Sequence, residues 1–246
     1  MVDTIAASKF AELSLARYKV RKNFLIAAIL TTGLISALIA VVAYFGLNMG
    51  TFVISLDEKA YTTGISLSAE KEFSASYPRL LISPQNNCVP VTYSDLKLED
   101  ISRTDGDYID PDGLTYIAYT FYLKNEGSTT VDLAFQIQQL QATLGVESAV
   151  RVLVIENETN YRCYWKKDGT EKSQFEETPD EIMYYFYDEQ YYCNQEIVNF
   201  KPGQINKYSV VLWLEGWDEE CIDNVVGAKL KLDLKFTITH VLEEDE

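Results

Sequence analysis

From Lys229 to Ile238 apolar and polar side chains alternate without interruption. Leu230, Leu232, Leu234, Phe236 and Ile238 point one way; Lys229, Lys231, Asp233, Lys235 and Thr237 point the other. A period of two is the signature of a strand with one buried and one solvated face. The same alternation runs through Tyr116–Lys124 and Thr130–Gln138, on either side of Asn125-Glu126-Gly127-Ser128. That four-residue break predicts a hairpin, with Asn and Gly supplying positive φ. Tyr208–Leu214 predicts a further strand after the turn Lys201-Pro202-Gly203-Gln204. Phe52–Leu56, Arg151–Glu156 and Tyr161–Trp165 predict shorter ones, the last two joined as a second hairpin across Asn157–Asn160. Gly145–Val150 fits a single helical turn, and Asp168–Asp180 is polar without a period, as in a surface loop. Seven or more short strands with turn signals between them predict an all-β fold, an antiparallel β-sandwich of jelly-roll or immunoglobulin-like topology.

Upstream the pattern is different. Phe24–Leu47 contains neither a charge nor a proline and is apolar all round. A helix of that length, rising about 1.5 Å per residue, crosses a hydrocarbon core of roughly 30 Å. The expected organisation is therefore a cytoplasmic basic segment (1–23), a transmembrane helix (24–47) in the lipid bilayer, and an extracellular sandwich domain (48–246). Phe10, Leu13, Arg17 and Val20 share one helical face, so residues 5–23 are expected to extend the membrane helix or to lie on the inner leaflet. A cleaved signal peptide is the competing expectation, with cleavage after Ala43. The apolar run is longer than a typical signal core, which favours a retained anchor.

Charge fixes the orientation. Lys9, Arg17, Lys19, Arg21 and Lys22 against Asp3 and Glu12 give residues 1–23 a net +3, leaving −19 downstream of a chain total of −16. The positive-inside rule places the N-terminus in the cytoplasm and the acidic domain outside the cell membrane. An acidic surface of that size repels phosphate backbones, so nucleic acid is not an expected partner.

His240 is the only histidine. Its isolation in sequence excludes His-based triads and multi-histidine metal centres, and no carboxylate pair stands out, so the expectation is a protein that is not an enzyme. Asp105, Asp107, Asp110 and Asp112 crowd a Gly-containing stretch, which could wrap a calcium ion or be a solvated acidic turn. The spacing is not that of an EF-hand. A second acidic group, Glu215, Asp218, Glu219, Glu220 and Asp223, has the same two readings. Cys88, Cys163, Cys193 and Cys221 permit two disulfides in three connectivities or four buried thiols. Their matching aromatic neighbours single out Cys163 and Cys193 as a disulfide. Residues 182–192 concentrate six aromatic side chains, Tyr184, Tyr185, Phe186, Tyr187, Tyr191 and Tyr192. Such a segment either packs on the sandwich or offers a contact surface for a protein partner or for self-association.

Three stretches carry a resemblance. Residues 43–68 (AYFGLNMGTFVISLDEKAYTTGISLS) join the apolar segment directly to a strand. Residues 116–137 place K-N-x-G between strands, and residues 208–238 place LEG-x-D-x-x-C between closing strands. Together they resemble membrane-anchored exported proteins of Gram-positive bacteria that are themselves uncharacterised. More distantly they are similar to matrix proteins of the TasA/camelysin type. The resemblance implies a β-sandwich with a cell-surface or matrix role and no catalytic residues. The expected function is a non-enzymatic anchored surface protein for adhesion, matrix or envelope interaction. A signal-cleaved matrix subunit and an accessory ectodomain of a membrane complex are the alternatives.

Overall fold

The computed structural model describes residues 31–33, 36, 52–85, 88–167, 171–221 and 225–242. The chain divides into two units, Met1–Met49 and Gly50–Glu246. In the first unit the described residues Thr31, Thr32, Gly33 and Ser36 are helical and exposed. Among the described residues no helix is long and apolar enough to cross a membrane. The expected span 24–47 lies outside them apart from those four positions, as does segment 1–23.

The second unit is a β-sandwich. Its strands are β1 (Phe52–Leu56), β2 (Ile65–Ser68), β3 (Arg79–Ile82), β4 (Gly106–Asp107), β5 (Ile117–Asn125) and β6 (Thr130–Ala142). They continue with β7 (Val150–Glu156), β8 (Asn160–Trp165), β9 (Met183–Tyr185), β10 (Tyr191–Phe200), β11 (Ile205–Leu214) and β12 (Leu230–Leu242). Among the described residues three short α-helices intervene, α1 (Glu58–Thr63), α2 (Leu98–Arg103) and α3 (Val146–Ala149), the last being the expected helical turn, with 3-10 turns at Tyr93–Asp95 and Asp180–Ile182. One sheet runs β10-β6-β12-β1-β3, and the other β2-β5-β11-β7-β8-β9 with β4 also paired to β5. The expected all-antiparallel pairing is corrected in two places, because β1 runs parallel to β12 and β9 parallel to β8. Both sheets are mixed.

Period-two burial builds the core. Val131, Leu133, Phe135 and Ile137 of β6 face inward, as do Leu232, Leu234, Phe236 and Ile238 of β12. They meet the inner face of the second sheet, where Phe121 and Tyr208 pack with Phe135 and Phe236 at centroid separations of 5.3–6.1 Å. Strands β5 and β7 are buried on both faces. Their outer residues Ala118, Leu153 and Ile155 lie under a second apolar cluster with Val91, Leu96, Ile101 and Tyr108. Strands covered on both sides read as nearly continuous apolar runs, as VRVLVI does.

The second expected hairpin is present. Strands β7 and β8 pair antiparallel, and Asn157 and Glu158 both take positive φ in the turn. The first is not. Strand β5 pairs with β11, β2 and β4, whereas β6 pairs with β10 and β12, so residues 126–129 carry the chain from one sheet to the other. The buried Asn125 side chain organises this crossing, donating to the carbonyls of Thr129 and Phe200 and accepting from the Gly127 N–H. Gly127 is needed for close approach rather than for positive φ. A Cβ there would lie 2.2 Å from the Thr63 carbonyl oxygen. Gly64, at φ +98°, ends α1 against the same glycine.

Candidate functional site

Arg151 occupies the outward position of β7, between Val150 and Val152, which face the inter-sheet core. An outward arginine is normally solvated, but this one is 1% exposed. Two loops cover it and supply its partners. Its Nε and Nη2 donate to both oxygens of Glu176 at 3.0 and 2.8 Å, and Nη2 also donates to Asp218 at 2.7 Å. Nη1 reaches the Ser148 and Val150 carbonyls, and the guanidinium lies 5.1 Å from the Trp165 ring. Burial works against the positive charge, but the hydrogen bond and charge of Glu176, with those of Asp218, outweigh it and hold the group above its ordinary value. Glu215 is fully buried nearby and accepts from Trp213 Nε1 at 3.0 Å. Burial pushes its carboxyl above the ordinary carboxylate range; the Trp213 hydrogen bond opposes this and the charge of Glu176 reinforces it.

The arginine thus fastens residues 171–180 and 215–218 onto the sheet. The loop expected to be solvated is pinned through Glu176, with Thr178 also buried. Each pinned residue has an aromatic neighbour that faces water. Phe175 and Trp217 are 56% and 50% exposed, with ring centroids 5.2 Å apart. On the other side of Arg151, Trp165 packs on Tyr185 at 5.1 Å. Tyr185 lies on β9 with Tyr184, and Tyr187 follows in the turn; all three are exposed, Tyr187 by 64%. Phe186 and Tyr192 hold this segment from behind, stacked at 3.7 Å, with the Tyr192 hydroxyl donating to Gln139 at 2.8 Å. Within residues 182–192 the rings of Phe186 and Tyr192 pack together, and those of Tyr184, Tyr185 and Tyr187 stand in solvent. Among the described residues β9 ends its sheet, pairing with β8 alone. Two exposed aromatic groups result: Phe175 with Trp217 on the loops that Arg151 pins, and Tyr184, Tyr185 and Tyr187 at and just beyond β9.

The aspartates expected to hold calcium are dispersed. Asp105 accepts from the Tyr122 hydroxyl, and Asp107 from Ser83. Asp110 is buried and accepts from Tyr116 and the Asp112 N–H, while Asp112 pairs with Lys97. Each carboxylate serves the local fold, and the four are not gathered into a cage. Asp218 and Glu215 of the second acidic group belong to the arginine network. The four cysteines are unbridged. The expected Cys163–Cys193 pair is separated by the second sheet, with Cys163 in the outer cluster and Cys193 in the inter-sheet core. Burial pushes the Cys193 thiol up to about 12. His240 stands on β12 opposite Asp132. The sequence carries one signal of the Arg151–Glu176–Asp218 network, a cation inside an apolar run.

No family model matches the chain, and no curated protein or solved structure matches it.

Proposed function

We propose that the chain is a non-enzymatic, single-pass surface protein whose sandwich domain binds a partner in the envelope or extracellular matrix. The observation that carries this reading is the exposure of large aromatic side chains in two groups, Phe175 with Trp217 and Tyr184, Tyr185 and Tyr187. Large rings held rigid in solvent cost little entropy on binding and are over-represented at contact surfaces. Their desolvation by a partner is the natural use of such groups. The apolar segment 24–47 and the charge step across it support an anchor with the domain outside. The resemblance to exported proteins of Gram-positive bacteria points to the same location.

The test has two arms. In intact cells expressing the full chain, added protease removes the C-terminal domain; protection of that domain overturns the orientation. In cosedimentation with isolated cell envelopes, the compact unit Gly50–Glu246, which lacks the anchor, pellets, and its variant Tyr185→Ser/Tyr187→Ser/Trp217→Ser stays in the supernatant with an unchanged melting temperature. Equal pelleting of the two proteins overturns the aromatic surface as the contact.

A further inference from the structure

The outer face of the first sheet carries a constellation that sequence spacing conceals. Asp132, Glu196 and His240 come from the adjacent strands β6, β10 and β12, and one ligand atom of each lies within 4.8 Å of the others. His240 Nδ1 is 3.8 Å from Asp132 Oδ2. One β-bulge brings His240 to this face, and a second, beyond Glu196, sets Asn199 against Asp132. In β12 Ile238 pairs with Leu133 and His240 with Asp132, so Thr239 is the extra residue. Without it Thr239 would face Asp132, and His240 would stand opposite Val131, on the core side. In β10 Ile197 pairs with Leu133 and Phe200 with Val131, leaving Val198 and Asn199 together opposite Asp132. Both neighbours of β6 are therefore bulged at the same level, the device by which sheets re-aim side chains beside sites. Asn199 takes φ +55°, and its N–H donates to Asp132 Oδ1 at 2.7 Å. That bond fixes one carboxylate oxygen and leaves Oδ2 turned towards the imidazole.

We infer that Asp132, Glu196 and His240 form a surface site for a divalent transition-metal ion of the zinc type. One imidazole and two carboxylates are a borderline donor set, suited to zinc rather than to calcium or magnesium, which take oxygen ligands alone. Two carboxylates balance the charge of a divalent ion while the imidazole binds neutral. In a tetrahedral zinc site ligand atoms stand roughly 3.3 Å apart, given metal–ligand bonds near 2.0–2.1 Å. The Glu196 and His240 side chains are exposed and free to close that gap by rotamer change, while Asp132 is held by Asn199 as ligating carboxylates are by an outer shell. Three protein ligands leave the fourth position open.

Isothermal titration of the metal-free full chain with zinc chloride tests the site. One zinc binds per chain, and His240→Ala and Glu196→Gln each weaken binding by about tenfold or more. Calcium or magnesium at the same concentration does not displace it. Because the chain has a single histidine, its imidazole resonances report the site without ambiguity, and they move on zinc addition with the first equivalent. Both substituted side chains are exposed, so the variants keep the metal-free melting temperature of the parent. Absence of zinc binding overturns the inference. So does binding that survives His240→Ala at full affinity, which would place the ion on another acidic segment, such as residues 243–246.

Discussion

Replacing Arg151 by Met removes the cation that pairs with Glu176 and Asp218, whose side chains are 0% and 8% exposed. The thioether fills much the same volume, so the principal loss is charge and hydrogen bonding rather than packing. Stranding a buried carboxylate by removing its partner costs about 3–5 kcal/mol. Here two are stranded beside Glu215, although Asp218 lies near enough to the surface to recover some hydration. At about 2–4 °C per kcal/mol for a unit of this size, the melting temperature is expected to fall by about 6–20 °C. The assay is thermal unfolding followed by circular dichroism, paired with limited proteolysis. Residues 171–180 and 215–218 lose their fastening in the variant, so cleavage within them is expected before global unfolding. The triple variant Arg151→Met/Glu176→Gln/Asp218→Asn removes the stranded charges and is expected to regain a large part of the loss, because a buried amide costs far less than a buried carboxylate. Arg151→Lys is expected to fall between parent and Arg151→Met, since an ammonium cannot fork onto two carboxylates. A single variant that melts within 2 °C of the parent, or a triple variant no more stable than the single, would refute the account of this network.

Three other outcomes are expected. Leu232→Asp puts a carboxylate at a position 1% exposed in the inter-sheet core and abolishes the cooperative melting transition, whereas Lys231→Asp, on the outer face of the same strand, is tolerated; equal melting temperatures would mean the face of β12 is reversed. Maleimide labelling of the native chain, followed by mass mapping, modifies Cys88 and Cys221 and spares Cys163 and Cys193, whose burial keeps the thiols protonated and out of reach; loss of two thiols from the count in denaturant without reductant would instead indicate a disulfide. Glu215→Gln keeps an acceptor for Trp213 Nε1–H but removes a carboxyl raised by burial. A carboxyl raised in the folded state lowers stability where it is ionised, and that loss disappears as pH falls through its folded value, so the variant melts higher than the parent near neutral pH and loses its advantage towards about pH 4; a destabilised variant at neutral pH would show that the charge is needed.

Strands β6 and β12 were legible because burial has one face over a long run, whereas the short β3 and the twice-bulged β10 were not. Strand β12 announces itself because its outward residues are Lys, Asp and Thr and its inward ones Leu, Phe and Ile. Strand β5 was legible as a strand, but not in its pairing, because alternation says which side chains share a face and nothing about which strand lies alongside. Hence Asn125–Gly127 suggested a hairpin, and the turn instead crosses between sheets, with Gly127 required by the approach of the Thr63 carbonyl from distant chain. The arginine network was hidden for a related reason. Glu176 sits in a stretch polar enough to pass for a solvated loop, and only the fold brings it over residue 151. The histidine shows the limit most sharply. Period-two counting from Ile238 assigns His240 to the core side, where an imidazole would lack partners. The extra residue at Thr239 reverses that parity and sets the ring beside Asp132. A bulge has no periodic signature, because it is the place where the period fails. A lone histidine near a strand's end is therefore weak grounds for dismissing metal chemistry, since one inserted residue decides whether it faces the core or two carboxylates.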